Sequence, residues 1–137
     1  MRRKENSFLL AVIVLSLGIL GWKLWAQQLS QLVGDWQMVV EAEGQYFYLN
    51  LSFKETEGKF EGTVSEANGF FSHLPLINIK FEADKLTFDF NAPTPPDGLS
   101  RLITAELKIS ADYEKMEGTL FVHDLDIIAS VKVTRKK

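Results

Sequence analysis

The stretch GDWQMVVEAEGQYFYLNLSFKET, residues 34–56, decides the fold. Trp36, Met38, Val40 and Ala42 alternate with the polar Gln37, Glu41 and Glu43. After Glu43-Gly44, Phe47, Leu49, Leu51 and Phe53 alternate with Tyr46, Tyr48, Asn50 and Ser52. A period of two interrupted by an acid–glycine pair describes a β-hairpin with one apolar and one polar face. The pattern continues outward to the C-terminus. Turn signals at Glu57-Gly58, Asn68-Gly69, Ala83-Asp84-Lys85, Pro95-Pro96-Asp97-Gly98, Asp112-Tyr113-Glu114-Lys115 and His123-Asp124 separate further alternating segments. Their apolar faces are Phe60, Gly62 and Val64, then Ile77, Ile79 and Phe81, then Leu86, Phe88 and Phe90. Ile103, Ala105, Leu107 and Ile109 follow, then Met116, Gly118, Leu120 and Val122, and last Leu125, Ile127, Ala129, Val131 and Val133.

The spacing predicts an all-β domain of eight antiparallel strands with one buried face. Consecutive antiparallel strands must dispose of two sheet edges, and closure into an up-and-down barrel removes both. With eight strands the interior of such a barrel is either just filled or just hollow. A two-sheet sandwich is the alternative arrangement. No helical periodicity interrupts the strands, which excludes Rossmann-type folds and helix bundles.

Ahead of the strands, Phe8–Trp22 is an uncharged apolar run preceded by Arg2-Arg3-Lys4. One reading is a secretory signal cleaved near Ala26. The other is a retained transmembrane helix over Phe8–Ala26, whose 19 residues are enough to cross the hydrocarbon, with Trp22, Lys23 and Trp25 at the interface. Either way the basic start stays cytoplasmic, and the remainder lies outside, on the periplasmic face in a bacterium. The chain therefore divides into an anchor or signal segment (1–26), a connector (27–33) and the barrel domain (34–137).

Composition narrows the function. Residues 34–137 hold 17 acidic and 11 basic side chains, a net of −6, the wrong sign for binding nucleic acid. There are no cysteines among the 137 residues, so disulfides, thiolate metal sites and cysteine nucleophiles are excluded. His123-Asp124-Leu125-Asp126 brings potential metal ligands together, but Asp is a favoured turn residue, and the segment reads as a turn. Nucleophile elbows, paired zinc histidines and phosphate-cradling glycine loops are absent from the sequence. A non-enzymatic protein with no cofactor and no metal is expected.

The opening Gly34-Asp35-Trp36 resembles the Gly-x-Trp start of the lipocalins and related calycin barrels. Ala111-Asp112-Tyr113 is similar to the Thr-Asp-Tyr turn between strands six and seven of that family, and Arg135 stands where its members place an Arg near the end of the last strand. The C-terminal helix and disulfide of many lipocalins have no counterpart here. The resemblance implies that Trp36 and Arg135 pack together to close one end of the barrel. It further implies that the other end admits a small apolar molecule, lined by Trp36, Phe47, Phe53, Phe60, Phe81, Phe88 and Phe90. The same side chains also suit a solid core.

Two functions follow. The first is a membrane-anchored, extracytoplasmic binding module for an apolar ligand or lipid. The second is an accessory subunit that stabilises a larger membrane complex. The second rests on the outward face, where Val39, Phe121 and Ile128 replace polar residues and are expected to form one exterior patch for a partner.

Overall fold

The computed structural model describes residues 29–137. The chain divides into two units, Met1–Gln31 and Leu32–Lys137, and the second is a β-barrel. The expected membrane segment, residues 1–26, lies outside the described residues. Among the described residues no helix is long and apolar enough to cross a membrane.

Nine strands build the wall: β1 (Gly34–Ala42), β2 (Gln45–Thr56), β3 (Lys59–Glu66), β4 (Leu74–Pro75), β5 (Ile77–Glu82), β6 (Lys85–Thr94), β7 (Leu99–Ile109), β8 (Lys115–Val122) and β9 (Ile127–Arg135). Their order is β4-β3-β2-β1-β9-β8-β7-β6-β5, and every pairing is antiparallel. The first and last strands meet, with Trp36 opposite Arg135. The hairpins are tight because the sequence supplies the turn chemistry. Glu43-Gly44 and Glu57-Gly58 all have positive φ, as two-residue type I′ turns require, and in each pair the glycine takes the larger φ without a Cβ clash.

The expected fourth strand is where the structure departs from the sequence reading. It is split into β4 and β5, joined by Leu76 alone. Its upper part continues the β3 ladder, its lower part pairs with β6, and the Leu76 N–H donates to the Gly62 carbonyl at 2.9 Å. One bent strand thus bridges the seam and leaves the barrel nearly closed. The bend is a bulge between Ile77 and Lys80, with Asn78 at φ 54°. An extra residue reverses the alternation, so Leu76 points inward (7% exposed) while Ile77, expected in the core, is 41% exposed. Leu125 was likewise expected in the last strand. Instead it ends a single 3-10 turn, His123–Leu125, and β9 begins after Asp126 in the left-handed region.

The other inward positions follow the alternation. Trp36, Met38, Leu51, Phe53, Val64, Leu86, Phe88, Phe90, Leu107, Met116 and Val133 are all sealed from solvent. Each such side chain contributes roughly 1.5–3 kcal/mol through burial.

Candidate functional site

The two ends of the barrel differ, and the difference begins at Trp36. Its indole is completely buried, and Nε1–H donates to the Leu32 carbonyl at 2.9 Å. The Arg135 guanidinium lies over the indole face, 4.2 Å from Cζ to the ring centroid. That guanidinium also donates from Nη1 to the Val33 carbonyl at 3.0 Å and from Nη2 to the Tyr113 carbonyl at 2.9 Å. The Asp112-Tyr113 turn makes the second contact possible. Asp112 accepts from the Ser110 hydroxyl at 2.6 Å and the Glu114 amide at 3.1 Å, which holds its carboxyl below the usual range. Tyr113, at φ 58°, follows it in the turn that offers its carbonyl to Arg135. Gly34-Asp35-Trp36, Asp112-Tyr113 and Arg135 are therefore one cap, assembled from the start, the middle and the end of the domain.

Above the cap the interior is filled. Phe53 stacks on Phe60 at 5.2 Å and meets Phe88 edge-on at 6.2 Å, so β2 and β6 touch through the core. Phe88 and Phe90 lie 6.3 Å apart. Of the seven aromatics expected to line a ligand site, Trp36, Phe53, Phe81, Phe88 and Phe90 are fully buried at the capped and middle levels. Phe60 is half-buried beside Phe53, and Phe47 is half-buried toward the opposite end. They do not form one lining.

At the opposite end, inward-facing positions are incompletely covered. Ala42, Phe47, Leu74, Val122 and Ile127 share the parity of the core positions on their strands, yet all are half-buried. Phe70 and Leu99 are exposed on the rim, and the Phe70 Cζ comes within 4.0 Å of where a Cβ on Gly98 would stand. The chain topology places the β1–β2 turn, the segment 67–73, the loop Pro95–Gly98 and the 3-10 turn together at this end. This end, with its half-buried inward side chains, is the candidate site.

The mouth contains a residue that the sequence reading did not single out. Arg101 occupies an inward position of β7, and only 9% of its side chain is exposed. It donates to Asp97 through two parallel bonds, Nη1 to Oδ1 at 2.7 Å and Nη2 to Oδ2 at 2.8 Å, and from Nη1 to Thr94 Oγ1 at 2.8 Å. The signal was present in RLITAELKI (residues 101–109), where Arg101 falls on the same parity as Ile103, Ala105, Leu107 and Ile109.

The Arg101 bonds, followed by the Leu99 amide, hold the Asp97 carboxyl well below the ordinary value of 3.8. A carboxyl depressed on folding contributes stability above its unfolded value and loses it as the pH falls through its folded value. Chemical denaturation between about pH 6 and about pH 2 should show this contribution fading below the ordinary Asp range. Asp97→Asn should flatten that acid limb; an unchanged pH profile would mean the pair adds nothing to the fold.

On the outer wall, Phe121 and Ile128 are direct cross-strand partners, and Ile128 is 68% exposed. Val39 does not join them. It pairs with Lys132, and the outward side chains of Ser130 and Lys132 separate it from Ile128 along β9. Instead Val39 lines a shallow depression of about 590 Å³ together with Glu41, Tyr46, Glu117 and Lys132. The expected three-residue patch is thus a pair and an outlier, because facing the same side does not place residues at the same level of a barrel.

His123 is also held on the wall, with its ring edge-on to Phe121 at 4.7 Å and Nε2 2.7 Å from Thr104 Oγ1. Thr104 donates to Asp89 at 2.6 Å, so His123 donates to Thr104. Burial pushes Asp89 up, but the bonds from Thr104 and Asn78 and the charges of His123 and Lys80 bring it below its ordinary value. The hydroxyl proton is directed toward a carboxylate rather than toward the imidazole. This arrangement ties β6, β7 and the 3-10 turn together.

Compared with known proteins, the chain matches no family model and no curated protein.

Proposed function

We propose that the chain is a membrane-anchored, non-catalytic barrel of the lipocalin-like kind, which takes a small apolar molecule or lipid at its open end on the extracytoplasmic side. The observation that carries this reading is the asymmetry between the ends. Inward side chains beneath Trp36 and Arg135 are sealed, with Phe60 the exception, whereas Phe47, Leu74, Val122 and Ile127 are only half-buried, under a rim that carries Phe70 and Leu99. Half-covered apolar side chains at that end gain from an apolar guest, because contact removes their surface from water. The filled middle of the barrel limits the guest to the upper part. The anchor rests on the apolar run 8–22 within the candidate span 8–26 and on its basic flank.

A second reading, an accessory subunit, is supported by the adjacent Phe121 and Ile128 on the outer wall. One experiment separates the two. The full chain, extracted in mild detergent through a C-terminal tag, is examined by native mass spectrometry. A retained small molecule, lost when Phe47 and Val122 are replaced by Asp, is the expected result. Retention of a protein subunit with no small molecule, abolished by Lys at positions 121 and 128, would overturn the ligand reading in favour of the second.

A further inference from the structure

The outer wall of β8 and β9 carries side chains that match one another level by level. Cross-strand register pairs Phe121 with Ile128, Thr119 with Ser130 and Glu117 with Lys132. These side chains point outward, and all are exposed except Phe121, which is half-buried. At the same three levels β9 therefore presents an apolar group, a hydroxyl and a cation, while β8 presents an apolar group, a hydroxyl and an anion. The Phe121 ring is held in place by His123, edge-on at 4.7 Å. Glu117 and Lys132 form no ion pair among the described residues, so both charges are available to a partner. The wall is also hollowed at their level, where Glu117, Ser130 and Lys132 help to line the shallow depression of about 590 Å³. That leaves room for long side chains arriving from outside.

We infer that this wall is the contact face for a second copy of the chain, in a symmetric dimer whose two-fold axis runs parallel to the strands, between β8 and β9. The inference rests on the wall being a contact surface, the premise of the accessory-subunit reading, and it names the partner. It needs no ligand at the open end. Such an axis sets each β9 against the partner's β8 without changing level. Ile128 then meets the partner's Phe121, Ser130 the partner's Thr119 and Lys132 the partner's Glu117, and symmetry repeats every contact. One surface thus supplies both halves of an apolar, a hydrogen-bonding and a charged pairing. An axis running across the strands would instead face each strand with its own copy reversed, setting Ile128 against Lys132 and Phe121 against Glu117. The register excludes that arrangement on polarity. On the flank, Glu41 comes toward the partner's Glu106, an acid already paired with Lys85. An axis along the strands also leaves the Val33 ends of the two domains on the same side, as two chains tethered to one membrane require.

The test uses the full chain in mild detergent, carrying either a short or a long C-terminal tag, with dimers counted by native mass spectrometry over a concentration series. The unaltered chain should dimerise. Lys132→Glu makes both charged positions of the wall acidic and Glu117→Lys makes both basic, so each variant alone should dimerise about tenfold more weakly or worse. Mixed in equal amounts, the two variants should recover the lost affinity as heterodimer, because each acidic position then faces a basic one. A pair within one chain cannot produce that rescue, since mixing leaves it unchanged. Dimers that persist equally in every variant would overturn the inference, because association would then come from elsewhere in the chain. A monomeric unaltered chain would overturn it as well. If that monomer holds a different subunit, lost when Phe121 and Ile128 become Lys, the accessory-subunit reading survives; if it holds none, both fall. Should a single variant fail to fold, the double variant Lys132→Glu with Glu117→Lys decides. It should pair with itself and exclude the unaltered chain, and random mixing of the two would refute the dimer.

Discussion

Trp36→Ala should destabilise the barrel by about 4 kcal/mol, in the range for large buried aromatics. The substitution removes a fully buried indole from the cap, leaves the Leu32 carbonyl without its donor, and takes away the face on which the Arg135 guanidinium rests. The three losses act on one assembly, because Arg135 also joins Val33 to the Asp112-Tyr113 turn. For a domain of this size the melting temperature should fall by roughly 20 °C. Thermal unfolding followed by circular dichroism measures it. A cost below about 1 kcal/mol would place Trp36 outside the core and dissolve the cap.

Gly118→Ala should be nearly as damaging, for an unrelated reason. A Cβ at Gly118 would stand 1.8 Å from the Glu106 carbonyl oxygen and 3.0 Å from the Leu107 Cα. These are backbone atoms of β7, to which β8 is paired, and they cannot swing aside without breaking the ladder. A cost of about 3 kcal/mol is expected, at the upper end for overpacking. Gly62 is the internal control. Its added Cβ would meet the Leu76 Cδ1 methyl at 2.6 Å and the Phe53 ring at Cδ1 at 2.9 Å, side-chain atoms rather than backbone. Leu76 can rotate, and the Phe53 ring must shift against Phe60 and Phe88, so Gly62→Ala should cost about 1–2 kcal/mol, less than Gly118→Ala and offset in part by the lower backbone entropy of Ala. Equal denaturation midpoints for the two variants would contradict the close approach of β7 and β8.

The alternation from Trp36 to Val133 exposed most of the fold to reading, because side-chain parity is a local property of an extended chain. It failed at Leu76–Ile77, where one residue added by a bulge reverses parity, and Asn78 gives only a weak hint of its left-handed conformation. It failed again at Leu125, an apolar residue whose spacing fits a strand but which closes a 3-10 turn. The Trp36–Arg135 cap was legible only through the family resemblance. Nothing local to position 36 indicates that it will face position 135. Arg101 was legible in principle as a charge on an apolar parity. Its bond to Asp97, by contrast, depends on how the β6–β7 loop folds back. The grouping of Val39 with Phe121 and Ile128 failed because level along the barrel is set by cross-strand register, which alternation does not specify.

The claim that one end is sealed and the other open can be measured directly, because the sequence has no cysteine to interfere. Val122 lies at the open end and Ile109 near the cap, on inward positions of adjacent strands. Single-cysteine variants Val122→Cys and Ile109→Cys, each in the full chain, are treated with a maleimide in the folded state. The thiol at position 122 should react readily, while the thiol at position 109 should stay unreacted until the protein is denatured. Equal reactivity at the two positions would contradict a barrel that is sealed at one end and open at the other.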